Sequence, residues 1–155
     1  MEHWDNLMTT PESPNPSGWL AIDGATEIVD INKTEANKIL AQQFVENVLI
    51  GKNAGDRSAY FDDDWLIQHD PQIDGADAYL TGLLQNGLEY AHVEKVLGQG
   101  NFVLVMSSGS DNGTPAAFYD LYRINNGKIT EHWNVIEAIP PKSEWKNPNG
   151  KLGFS

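Results

Sequence analysis

An α+β fold is predicted by three features of this 155-residue chain. Two segments with apolar residues at helical spacing come first, and four segments rich in alternating and β-branched or aromatic residues follow. Glycine paired with asparagine, aspartate or glutamine separates each of the four from the next, as in antiparallel hairpins. Helices followed by a meander, rather than helices alternating with strands, is the α+β order.

Residues 1–17 carry Pro11, Pro14 and Pro16 among small polar residues and read as a loose arm, with a single domain over 18–155. "GWLAIDGATEIVDI" (18–31) alternates around Asp23-Gly24 and suggests a short hairpin or an extended edge piece. In "TEANKILAQQFVENVLIG", Ala36, Ile39, Leu40, Phe44, Val48 and Leu49 recur at helical spacing, with Thr34 placed to cap the start and Gly51 the end. After a polar connector, "WLIQHDP" is a short extended run stopped by Pro71, since proline biases Asp70 away from helix. Asp74, with Asp77 three residues on, opens a second helix whose buried stripe is Ala76, Tyr79, Leu80, Leu83 and Leu84. The strands are expected at 90–98, 101–110, 115–124 and 128–139.

Composition removes several classes of function. Twenty-two acidic against ten basic residues give a formal charge of -12, so nucleic acid and anionic membrane surfaces are poor partners. The absence of cysteine excludes disulfides, thiolate metal sites and cysteine nucleophiles. No segment approaches the roughly 18 apolar residues of a spanning helix, so a soluble, cytoplasmic chain is expected unless a leader has been removed.

"FYDLYRINNGKITEHWNV" (118–135) concentrates the chemistry. If its turn at Asn126-Gly127 is a two-residue type I′ turn, Asp120 lies opposite Trp133. If the loop has three residues and a glycine bulge, Asp120 lies opposite His132. The second register gathers Phe118, Asp120, Tyr122, Thr130, His132, Asn134 and Ile136 on one face. It leaves Tyr119, Leu121, Arg123, Glu131, Trp133 and Val135 on the other, with Arg123 and Glu131 as a surface pair. Periodicity alone leaves both registers open.

The stretch "YRINNGKITEHW", preceded by "QHDP" after the first long helix, resembles the SnoaL-like proteins of the nuclear transport factor 2-like superfamily. Arg123, Gly127, Lys128, Ile129, Glu131, His132 and Trp133 carry the likeness. It implies a cystatin-like cone, a curved antiparallel sheet closed by N-terminal helices around an apolar cavity. It also implies that residues 120 and 134 both face that cavity, which favours the bulged register. The polyketide cyclases of that family carry their aspartate where this chain has Asn134, and a histidine where it has Asp120. An asparagine cannot act as a base, so the cyclase mechanism does not transfer.

What remains is a wall with Asp120 beside His132. A carboxylate enclosed by apolar side chains has its ionised form disfavoured, which suits it to proton transfer. The candidate roles are Asp120 as general acid or base, His132 as its orienting partner, and His69 polarising a substrate oxygen. Asn134, Tyr122, Phe118, Trp65 and Tyr79 are expected to line the substrate site. Each has a plainer reading as a packed core or surface residue. Two histidines and an aspartate also spell a facial metal triad. They come from separate strands, however, and the resembling family works without metal, so no metal or cofactor is expected. The residues point to a proton-transfer enzyme (isomerase, aldol-type cyclase or dehydratase) acting on a small apolar carbonyl or hydroxyl compound. A non-catalytic carrier and a protein-interaction module are the alternatives. A homodimer through Tyr119, Leu121, Trp133 and Val135 is expected, because so contiguous an apolar patch is rarely left bare.

Overall fold

Left-handed asparagine and glycine set the hairpins. Asn112 (φ 47°) with Gly113 (φ 80°), and Asn126 (φ 49°) with Gly127 (φ 75°), form two-residue turns of the type that matches strand twist. They join β3 (Phe102–Asp111) to β4 (Thr114–Asn125) and β4 to β5 (Lys128–Ala138), while β2 (Leu88–Gln99) precedes β3 through Gly100-Asn101. The computed structural model describes residues 3, 5–146 and 148–152. A two-residue strand, β1 (Ile67–Gln68), pairs parallel to β5 and completes a five-stranded curved sheet in the order β1-β5-β4-β3-β2.

Two helices cover the inner face. The first, α1 (Thr34–Phe44), widens into a π-helical stretch over Val45–Ile50. Thr34 does not cap it, because the Thr34 hydroxyl donates to the Ile31 carbonyl and accepts from the Gly100 amide instead. The second, α2 (Ala76–Gln85), starts without a capping box. Asp64 supplies the acceptor from outside, taking the Asp77 amide at 2.7 Å. Asp74 is engaged elsewhere, by the Gln68 amide and the Trp19 indole. Phe44 centres the core, with rings of Tyr60, Phe61, Tyr79 and Tyr122 at 5.1–6.2 Å, mostly edge to face. These rings fill the space between helices and sheet where an open cavity was expected.

Residues 18–30 form neither hairpin nor strand; they run as a strap over the outer face of the sheet. Trp133 Nε1 donates to the Asp23 carbonyl at 2.8 Å, and Asn101 exchanges hydrogen bonds with Val29. Gly24 explains why the strap can lie so close. A Cβ there would stand 2.3 Å from Glu131 Oε1 and 2.5 Å from the Trp133 ring, and the backbone sits at φ 115°. The described part of the segment before it has no helix or strand, yet it is tied down. Asn15 Nδ2 donates to the Gln68 and Gln72 carbonyls, both at 2.9 Å, and Asn6 Nδ2 to those of Ala117 and Val135. Among the described residues no helix is long and apolar enough to cross a membrane.

Candidate functional site

The β4–β5 register is neither of the two open from sequence. The turn has two residues, with Asn125 opposite Lys128, but Thr130 is an extra residue in β5, so that Arg123 pairs with Glu131, Tyr122 with His132 and Asp120 with Asn134. The bulge shifts the pairing but keeps the face. Phe118, Asp120, Tyr122, His132 and Asn134 do share the inner side.

Asp120 and His132 are wholly buried, 0% exposed each. His132 Nε2 lies 2.9 Å from Asp120 Oδ1, and Nδ1 lies 2.9 Å from Gln68 Oε1. That amide oxygen can only accept, so Nδ1–H donates to it and a single proton lies between Nε2 and the carboxylate. The pair is then electrically neutral wherever that proton sits, as burial without a third charge demands. The Tyr90 hydroxyl donates to both carboxylate oxygens at 3.1–3.2 Å. Rings surround the imidazole, Tyr122 stacked at 4.9 Å and Tyr79 tilted at 4.6 Å, and their hydroxyls meet at 3.2 Å. Burial, and then the Asp120 carboxylate, hold the hydroxyls of Tyr79, Tyr90 and Tyr122 well above the ordinary tyrosine value, so all three remain donors.

Tyr90 connects this cluster to accessible space. Its ring stacks on Phe118 at 4.2 Å, and the residue forms part of the wall of a cleft of about 390 Å³ between the two helices and the start of β2. Val48, Leu49, Leu80, Leu83, Leu84 and Leu88 give that cleft its apolar walls, and Lys52 and Glu89 stand at it with charge. Asp120 and His132 are not among the residues lining the cleft; Tyr90 lines it and donates to Asp120.

His69 is not in this cluster. Strand alternation sends Gln68 inward to His132 and its neighbour His69 outward. On the outer face His69 Nδ1–H donates to the Leu20 carbonyl at 3.0 Å, and Nε2 shares a proton with Glu131 Oε1 at 2.8 Å. Arg123 Nε donates to the other Glu131 oxygen. The Trp133 ring stacks on His69 at 4.7 Å, nearly parallel. The strap encloses the group, so Glu131 is 2% exposed and the expected surface pair is a buried one. His69 therefore cannot polarise an oxygen beside Asp120, and the three-residue metal triad does not converge. Trp65 is also removed from the site, at 63% exposed beside a separate shallow groove. Tyr79, Tyr122 and Phe118 do surround the cluster, and Asn134 sits half-buried across from Asp120. Sequence reasoning missed Gln68 and Tyr90. The signal for Gln68 was its place one residue before His69 in an extended run.

Neither a protein-family model nor a curated protein sequence matches the chain. Solved structures do. A candidate ketosteroid isomerase from Kribbella flavida is similar over 79% of this chain and 98% of its own, with 16% identity and a TM-score of 0.61. An NTF-2 like protein of unknown function from Burkholderia xenovorans is similar over 74% and 97%, with 19% identity and a TM-score of 0.56. For a candidate polyketide cyclase from Acidithiobacillus ferrooxidans the values are 65%, 87%, 14% and 0.53. At such identities the likeness speaks for architecture, and it agrees with the sheet order and the helices covering one face. The chain has the α+β fold of the nuclear transport factor 2-like superfamily.

Proposed function

We propose that the chain binds a small, largely apolar compound in the leucine-lined cleft and moves a proton on it with the Asp120–His132 pair. The reaction class is isomerisation, aldol-type cyclisation or dehydration of a carbonyl or hydroxyl compound. One observation carries the reading: a fully buried carboxylate, sharing one proton with a histidine, is separated from an apolar cleft by a single tyrosine. Asp120 is the proton-transfer group. His132 holds it and takes or returns the shared proton, and Gln68 fixes which histidine nitrogen does so. The superfamily's fold hosts unrelated functions, so the site and not the architecture bears the argument.

A second reading, ligand binding without turnover, is favoured by the complete enclosure of Asp120 and by Asn134 opposite it. Asp120→Asn separates the two. The amide keeps an acceptor for Tyr90 but does not titrate, so turnover should fall about 100-fold or more while affinity changes little. Assays of isomerisation and dehydration on a panel of apolar ketones and hydroxy compounds check it. Binding by the parent protein with no reaction on any member of the panel would leave the carrier reading.

A further inference from the structure

Asp120 holds its tyrosine in an unusual place. Tyr90 is part of the cleft wall, its hydroxyl lies on both oxygens of Asp120, and Phe118 stacks on its ring at 4.2 Å with an interplanar angle of 25°. This is how a hydroxylated ring entering from the cleft would sit: apolar face against Phe118, hydroxyl on the carboxylate. We infer that Tyr90 occupies the seat of the ligand's own hydroxyl, so that the cleft takes an apolar compound bearing a phenolic or enolic OH, which displaces Tyr90 from Asp120. The inference rests on the cleft and carboxylate of the proposed function and names the chemistry that they recognise.

Three further observations support a tyrosine that can give way. It lies on β2, an edge strand of the sheet, so its movement costs no interior ladder. The β2–β3 register slips between Tyr90 and His92 and again between Val93 and Lys95, so the strand is bulged on the C-terminal side of Tyr90. Its cross-strand partner is Gly109, which has no side chain to hold the ring. Independently, Ser107 is fully buried with its hydroxyl unpartnered, on the inner face of β3 directly across from Phe118. A buried hydroxyl without a partner is uncommon in folded proteins. A ligand seated against Phe118 with a second oxygen would supply one.

The test uses the full chain and two probes of nearly equal size, 4-chlorophenol and chlorobenzene. With ¹⁵N-labelled histidine, 4-chlorophenol should shift the ring nitrogens of His132 saturably in the unaltered protein, because it replaces Tyr90 on Asp120; chlorobenzene should not. Tyr90→Ala opens the seat, and 4-chlorophenol at ten times its Kd should raise that variant's Tm by about 4 °C. Tyr90→Phe keeps the ring in place and should gain no such rise. Absence of any His132 shift in the unaltered protein overturns the inference, even if Tyr90→Ala does not fold. Equal effects of the two probes, or equal rescue of the Phe and Ala variants, also overturn it. Phenol binding without turnover leaves this inference standing and defeats the catalytic reading, whereas turnover with no phenol effect does the reverse.

Discussion

Two histidine–carboxylate pairs sit back to back on β5, at adjacent residues. His132 faces inward to Asp120, and Glu131 faces outward to His69. The distances are nearly equal, 2.9 and 2.8 Å, and all four side chains are buried. Their other neighbours differ. The outer pair is completed by a permanent cation, Arg123, and by the backbone carbonyl of Leu20, so its polar atoms bind the sheet to the strap. The inner pair is completed by neutral donors and acceptors, Tyr90 and Gln68, and one of them borders an apolar cleft. The same pair of residue types thus serves as a clamp where its partners are fixed. In the proposed function it acts on a ligand where one partner borders open space.

If that contrast is right, the outer pair should matter more for stability than the inner one. Glu131→Gln leaves Arg123 and His69 without their common anion and should cost about 3 kcal/mol in urea unfolding, while leaving turnover per folded molecule unchanged. Asp120→Asn should cost only about 1 kcal/mol, and the reverse order would break the comparison. Gly24→Ala attacks the clamp from the strap side. The new methyl would collide with Glu131 and Trp133 in a backbone conformation that alanine rarely adopts, so a loss of about 2 kcal/mol is expected. A change in the tryptophan near-UV circular dichroism should accompany it.

The inner cluster has its own signature at alkaline pH. Tyr79, Tyr90 and Tyr122 are raised in the folded state above the ordinary value of 10.0, by burial first and the Asp120 carboxylate second. The unfolded chain therefore releases these protons before the folded one does. Their contribution to stability is whole below pH 10 and is lost as pH rises from there through the folded values. Tyr122→Phe should reduce the alkaline slope of the urea stability by about 1.4 kcal/mol per pH unit, and an unchanged slope would count against the buried-donor picture. A small effect belongs to the arm. Asn15→Ala removes the two hydrogen bonds to the Gln68 and Gln72 carbonyls, and the two that Asn15 Oδ1 accepts from the Ser17 and Trp19 amides, and should cost about 1 kcal/mol, where a free arm would cost nothing.

Much of this was legible in the sequence, because hairpin turns and alternation are local. The four long strands and their asparagine-glycine turns follow from residue types within a few positions, whereas the inner grouping of Phe118, Asp120, Tyr122, His132 and Asn134 comes from the family resemblance, since periodicity leaves the register open. The misreadings came from single-residue offsets set by distant contacts. Nothing near Thr130 marks it as a bulge, although that bulge decides that Asp120 faces Asn134 and reaches His132 diagonally. His69 and Gln68 exchange faces with one step along a two-residue strand whose only pairing is with β5, and no local pattern fixes that pairing. Tyr90 was hidden by β2, where bulges interrupt the alternation that would have shown its side.

The π-helical stretch over Val45–Ile50 has a consequence for how this fold can diversify. A π-turn holds one more residue than an α-turn, and here it brings Val45, Val48 and Leu49 to the buried side, two of them onto the cleft wall. Such a turn can absorb a one-residue deletion by relaxing to α-helical geometry, which keeps the helix beyond it in register and changes only which side chains the turn itself presents. Lineages descended from a common ancestor could therefore recut the cleft by changing chain length within a helix, leaving β4, β5 and the carboxylate between them untouched.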